Sequence, residues 1–157
     1  MPDLAELFTP GRIALDVEAT SKRQLLRELA ELVARDLGVD AEAILEALLE
    51  REKLGSTAIG EGIAIPHARV ESIDDLVGAF VRLVKGVDFD ALDEEPVDLI
   101  FLLLAPVATS SAEHLRILAK LARALRDPEL REALRHAESP ERVLELLAAG
   151  RRQSRAA

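Results

Sequence analysis

With no cysteine in the chain, its reactive groups are nitrogen and oxygen side chains only. That removes thiol nucleophiles, disulfides, Cys-ligated zinc and iron–sulfur clusters. The candidates are three histidines, His67, His114 and His136, with whatever cations and carboxylates surround them. An imidazole with an ordinary pKa of about 6.5 is mostly neutral at pH 7, so it can attack without a separate base. His67 stands out by its setting. It follows Ile63-Ala64-Ile65-Pro66, a short extended apolar run closed by a proline, and a Gly-rich stretch lies just upstream. Functional residues favour strand ends in open α/β sheets. His114 falls in the first turn of an expected helix, where backbone N–H groups favour a neutral imidazole and attract anions. On its own it also reads as a solvent-facing helix residue. Arg51 closes the preceding helix in Glu50-Arg51-Glu52 and reads equally as a solvated helix-end charge. His136 stands at a helix end, where a cation suits the dipole.

Other chemistries are weaker. Gly55-x-x-x-x-Gly60 has P-loop glycine spacing, but the next residue is Glu61 rather than Lys, and a carboxylate there repels phosphates. Ser56 and Thr57 lack the G-x-S-x-G elbow of a serine nucleophile. The histidines lack His-x-x-x-His spacing and a carboxylate set, so no metal site is expected. No cofactor is expected either.

The elements that must position these groups follow from periodicity. Ser21-x-x-Gln24 reads as a capping box. Leu25, Leu26, Leu29, Val33 and Leu37 then recur at helical spacing until Gly38. A second helix is expected from about Ala41 to Glu52, with Ile44, Leu45, Leu48 and Leu49 on one face. Gly55 to Gly62 reads as loop or broken strand. Leu76–Val84 and Val97–Leu104 read as strands, the second apolar enough on both faces to lie in the middle of a covered sheet. Ser110-x-x-Glu113 opens a helix to about Arg126, and Ser139-Pro140 caps a short last one carrying Val143, Leu144 and Leu147. Residues 1–150 are expected to form one α/β domain, and 151–157 a flexible polar tail.

The chain has 157 residues, with 20 Lys and Arg against 29 Asp and Glu, a formal net charge of −9. Such a field disfavours nucleic acid and anionic membrane surfaces as partners. The N-terminus lacks a signal-peptide pattern, and no apolar run approaches the ~20 residues of a membrane span, so a cytoplasmic location is expected.

The stretch Glu52-Lys53-Leu54-Gly55-Ser56-Thr57-Ala58-Ile59-Gly60-Glu61-Gly62-Ile63-Ala64-Ile65-Pro66-His67-Ala68 resembles the phosphohistidine signature of the type 2 enzyme IIA domains. These are the mannitol/fructose class of the bacterial phosphoenolpyruvate-dependent phosphotransferase system, and the similarity is closest to the stand-alone nitrogen-type group. Similarity extends from the Leu-Phe-Thr-Pro opening at Leu7 to the helix ending near Leu147. Ala68 departs slightly, since Gly is frequent there in the nitrogen-type group. The resemblance implies a mixed five-stranded, largely buried sheet with helices on both faces. It implies that His67 is phosphorylated, that Arg51 supports the site and that His114 is its second histidine. It further implies an HPr/NPr-type phosphocarrier as donor, and a regulatory target protein or a IIB domain downstream. The mouth of the His67 site is expected to be ringed by the small and apolar residues from Ile59 to Ala64.

Overall fold

A computed structural model describes residues 3–156. A short helix α1 (Leu4–Leu7) and a 3₁₀ turn at Pro10–Arg12 lead into strand β1 (Ile13–Val17). Helices α2 (Lys22–Leu37) and α3 (Ala41–Lys53) follow, then three short strands, β2 (Ala58–Gly60), β3 (Ile63–Ala64) and β4 (His67–Val70). Two long strands, β5 (Val77–Val87) and β6 (Val97–Pro106), precede α4 (Ser111–Ala124), α5 (Pro128–His136) and α6 (Pro140–Ala156).

The caps work largely as the spacing predicts. Ser21 Oγ accepts from Gln24 N, but the Gln24 side chain reaches back to the amide and hydroxyl of Thr20 rather than to Ser21. Ser110 and Ser139 accept from Glu113 N and Arg142 N. Gly38 closes α2 with φ at +70°, a conformation that costs glycine little. The last helix is longer than expected. Its backbone continues past Gly150 as far as Ala156, within the segment expected to be a polar tail, where Arg, Gln and Ala favour helix.

The sheet order is β1-β5-β6-β3-β2, with β4 also paired to β6. Strand β1 is parallel to β5, and β3 and β4 are parallel to β6. The β5–β6 and β2–β3 pairs are antiparallel. The sheet is therefore mixed, as expected, with six strands in five lanes, because β3 and β4 occupy one lane beside β6. Ile63 and Ala64 face Leu99 and Ile100, and His67 to Val70 face Leu103 to Pro106. Pro66 has no N–H to donate and interrupts this lane. The sequence reading ends the extended run at Ile65, whereas the chain resumes pairing at His67.

Strand β6 sits between β5 and the split lane, and its side chains alternate between two cores. Ile100, Leu102 and Leu104 pack on the face covered by α2 and α3. Leu99, Phe101 and Leu103 pack on the face covered by α1, α4, α5 and α6. Both faces of β6 are thus buried, which is why its sequence lacks polar alternation. Among the described residues, no helix is long and apolar enough to cross a membrane.

Candidate active site

The break in the split lane sets the site. His67 is the first residue of β4, and its Nδ1 lies 2.8 Å from the carbonyl oxygen of Ile65, two residues back across the proline. A carbonyl only accepts, so Nδ1 carries the proton and donates. The lone pair then resides on Nε2. Arg51, in the last turn of α3, donates from Nε to this Nε2 at 3.2 Å and from Nη1 to Gly55 O at 2.9 Å. One guanidinium therefore spans the histidine and the loop that follows its own helix.

That loop is fastened from below. The Glu52 carboxylate accepts from the Thr57 amide at 3.2 Å and from the Thr57 hydroxyl, and pairs with Lys22 Nζ at 2.8 Å. Lys22 also reaches Asp90 and lies over the Phe89 ring. Ser56 donates to the Phe89 carbonyl. The hydroxyls of Ser56 and Thr57 are thus both engaged with acceptors that hold the loop.

His114 stands in the first turn of α4, with its ring centroid 5.4 Å from that of His67 and the planes inclined by 52°. Among the described residues its imidazole makes no hydrogen bond, so packing alone presents it to His67. Both rings are half-buried, and burial lowers both pKa values from the ordinary value. At His67 the Arg51 charge adds to this, while the Ile65 carbonyl and Glu52 oppose it. At His114 the neighbouring His67 and Arg69 add to it. The pair is accordingly held neutral, the form a nitrogen nucleophile needs.

The structure thus brings three of the four singled-out residues together, His67, Arg51 and His114. His136 is elsewhere, exposed at the end of α5, its Nδ1 against the Glu132 carbonyl of the same helix. Arg69 joins the group without having been singled out. It follows His67 by two residues, so the strand period places both on one side of β4, and its Nη2 donates to Ser111 Oγ at 3.0 Å. That period was the available signal.

The expected ring of Ile59 to Ala64 around His67 is corrected. Strands β2 and β3 form a hairpin whose Gly60–Gly62 turn lies at the far end of the split lane. There Glu61 N bonds to Asp93 and Asp98 N bonds to Gly62 O. His67 pairs with Leu103, four residues along β6 from Leu99, the partner of Ile63, or about 13 Å at ~3.3 Å per residue. The exposed apolar residues adjacent in sequence to the site residues are instead Leu54, before Gly55, and Leu115, after His114.

A half-buried arginine beside a neutral histidine, with no carboxylate within 4 Å, is a binding arrangement for a phosphate-like dianion. Among the described residues no cluster of His, Asp and Glu is arranged to hold a metal ion.

The chain is similar to known proteins over nearly its whole length. The chain is 44% identical over 145 residues to the nitrogen regulatory protein of Pseudomonas aeruginosa, covering 92% of this chain and 94% of that one. It is 44% identical over 148 residues to the fructose-specific EIIA component of a phosphotransferase system in Haloferax volcanii, covering 93% and 95%. The crystal structure of nitrogen regulatory protein IIA-Ntr from Neisseria meningitidis superimposes with a TM-score of 0.86 at 40% identity, covering 92% of this chain and 98% of that one. Residues 6–150 match the family described as phosphoenolpyruvate-dependent sugar phosphotransferase system, EIIA 2, and the chain belongs to that family.

Proposed function

We propose that this protein is a phosphoryl carrier that accepts a phosphoryl group on Nε2 of His67 from an HPr/NPr-type phosphohistidine protein. It then signals by its phosphorylation state or passes the group to a regulatory target or IIB domain. The observation that carries this reading is the tautomer. Nδ1–H is held by the Ile65 carbonyl, so the nucleophilic lone pair on Nε2 faces a guanidinium with no carboxylate neighbour.

Transfer breaks the donor's N–P bond and forms a bond from Nε2 to phosphorus, and the electron pair of the broken bond returns to the donor's ring nitrogen. No proton leaves Nε2, so no general base is required. The ring gains positive charge as the bond forms, and the Ile65 carbonyl faces the N–H that shares it. The Arg51 bond at 3.2 Å is long for N–H to nitrogen. It yields as the phosphoryl group arrives, and the guanidinium moves onto the phosphoryl oxygens, where two parallel donors match their geometry. His114 offers a further donor at the same oxygens. Leu54 and Leu115 give the donor protein an apolar footing on either side, suited to a small and short-lived interface.

The test is intact mass spectrometry after incubation with phosphoenolpyruvate, enzyme I and an HPr-type donor. The chain should gain one acid-labile, alkali-stable phosphoryl group, His67→Ala none, and His136→Ala the wild-type amount. Equal labelling of wild type and His67→Ala would sink the assignment. A second reading, the IIA component of a sugar permease, draws on the fructose-specific relative. It requires onward transfer to a fructose-type IIB domain, which the same assay reads with that domain added.

A further inference from the structure

We infer that Arg69 is a positioning residue for His114: through Ser111 it fastens the first turn of α4 to the strand that carries His67. This rests on the phosphoryl-carrier reading for its functional consequence, though not for its geometry. His114 has no hydrogen bond of its own among the described residues, so its place over His67 is set by where the α4 turn sits. That turn begins at Ser111, three residues before His114, and its cap at Ser110 is internal to the helix. One side-chain bond among the described residues joins the turn to β4, from Arg69 Nη2 to Ser111 Oγ at 3.0 Å. Arg69 is itself fixed to His67 by the backbone of β4, since residues 67 to 70 are held in register against Leu103 to Pro106. The bond thus closes a short loop, from His67 along β4 to Arg69, across to Ser111, and one helical turn to His114.

Arg69 also acts at a distance. It is exposed and has no carboxylate within 4 Å, so its charge is not neutralised locally. With His67, it is one of the two groups whose charge disfavours protonation of His114. The two arginines of the site differ in what their geometry demands. Arg51 uses Nε and Nη1 on two acceptors at once, whereas Arg69 uses a single nitrogen on one hydroxyl. A lysine can supply one donor and the charge but not a two-pronged span. Arg69→Lys should therefore succeed where Arg51→Lys fails.

The experiment compares Arg69→Gln, Arg69→Lys and Ser111→Ala with wild type, all checked for intact fold by backbone amide spectra. Nuclear Overhauser contacts between the His67 and His114 rings, read on the unphosphorylated protein, should weaken in Arg69→Gln and Ser111→Ala and persist in Arg69→Lys. The His114 titration midpoint should rise in Arg69→Gln, where the charge is lost, and stay low in Arg69→Lys. Single-turnover transfer from a phosphorylated donor should slow by roughly tenfold in Arg69→Gln and Ser111→Ala, within the ~10²-fold that a 1 Å misplacement costs, and recover in Arg69→Lys. Unchanged ring contacts and an unmoved His114 titration in Arg69→Gln would overturn the positioning role. Should wild type itself accept no phosphoryl group, the carrier reading falls, while the ring contacts and titration still decide the role of Arg69.

Discussion

Arg51 and Arg135 stand at opposite ends of the lane formed by β3 and β4, and they are bound in opposite ways. Arg135 on α5 grips Asp98 with both Nε and Nη2 at 3.0 Å and donates again to Glu61 O at 2.7 Å. The turn it secures includes Gly62, whose φ is +78° and where a Cβ would meet Arg135 at 2.5 Å. Arg82, buried nearby on β5, donates to the carbonyls of Leu134 and Ala137 and pairs with Asp16. At that end both arginines are held by a carboxylate together with backbone carbonyls, and the chain is locked. At the His67 end the guanidinium touches a neutral ring and one carbonyl. Of the buried or half-buried arginines among the described residues, namely Arg12, Arg27, Arg51, Arg82, Arg131 and Arg135, only Arg51 has no carboxylate within 4 Å. In a chain with a net charge of −9, an arginine kept away from acids is one kept available. The same residue type serves as a structural clamp at one end and, under the proposed function, as an open anion receptor at the other.

The sharpest way to break that comparison is Arg51→Lys. It preserves charge but not the two-pronged span from Nε2 of His67 to Gly55 O. Loss of a preorganised donor at a developing charge typically costs ~10²–10³ in rate. Single-turnover transfer should slow by that order, with circular dichroism unchanged. Transfer at the wild-type rate would make Arg51 a helix-end charge like any other.

The reverse outcome is expected at the locked end. Arg82→Leu leaves the buried carbonyls of Leu134 and Ala137 without their donor, at a cost of about 1–3 kcal/mol. The urea midpoint should fall accordingly, while the folded fraction transfers at close to the wild-type rate. A loss of rate with stability intact would show that the two ends are coupled and that the division of labour is wrong.

How much of this was legible in the sequence depends on whether a partner is local. The caps at Ser21, Ser110 and Ser139 lie within three residues of what they bind and were readable. So was β6, because burial on both faces leaves an unbroken apolar run. The short strand β1, with only Ile13 fully buried, lacks that run and was missed. The grouping of Arg51, His67 and His114 was readable through a signature and its family, not through spacing alone, since 16 residues separate Arg51 from His67. The hairpin turn was misplaced because its anchors are remote: Asp93 lies 32 residues from Glu61, and Arg135 lies 74. Nothing local in Gly60-Glu61-Gly62 announces which end of the sheet it occupies.

Acidification offers the gentlest probe of the open end, because it reaches the histidines without altering a residue. Burial first, then the Arg51 charge at His67 and the His67 and Arg69 charges at His114, holds both imidazoles below the ordinary value of 6.5. Above that value the rings are neutral in both folded and unfolded chains, and the contribution to stability is fully present. As the pH falls below 6.5 the unfolded chain takes up protons that the folded chain refuses. Stability therefore declines, and this loss ends once the pH has dropped below the folded values. Transfer outlasts the onset of this loss, since the folded His67 takes up its proton only at a lower pH than the unfolded ring. Between about pH 7.5 and about pH 5.5, urea denaturation should show stability falling in wild type and falling less in a His67→Asn/His114→Asn variant, with wild-type transfer persisting below the ordinary imidazole pKa. A wild-type stability that rose on acidification would mean that these rings gain protons on folding, and the account of His67 as a neutral nucleophile beside an unneutralised arginine could not stand.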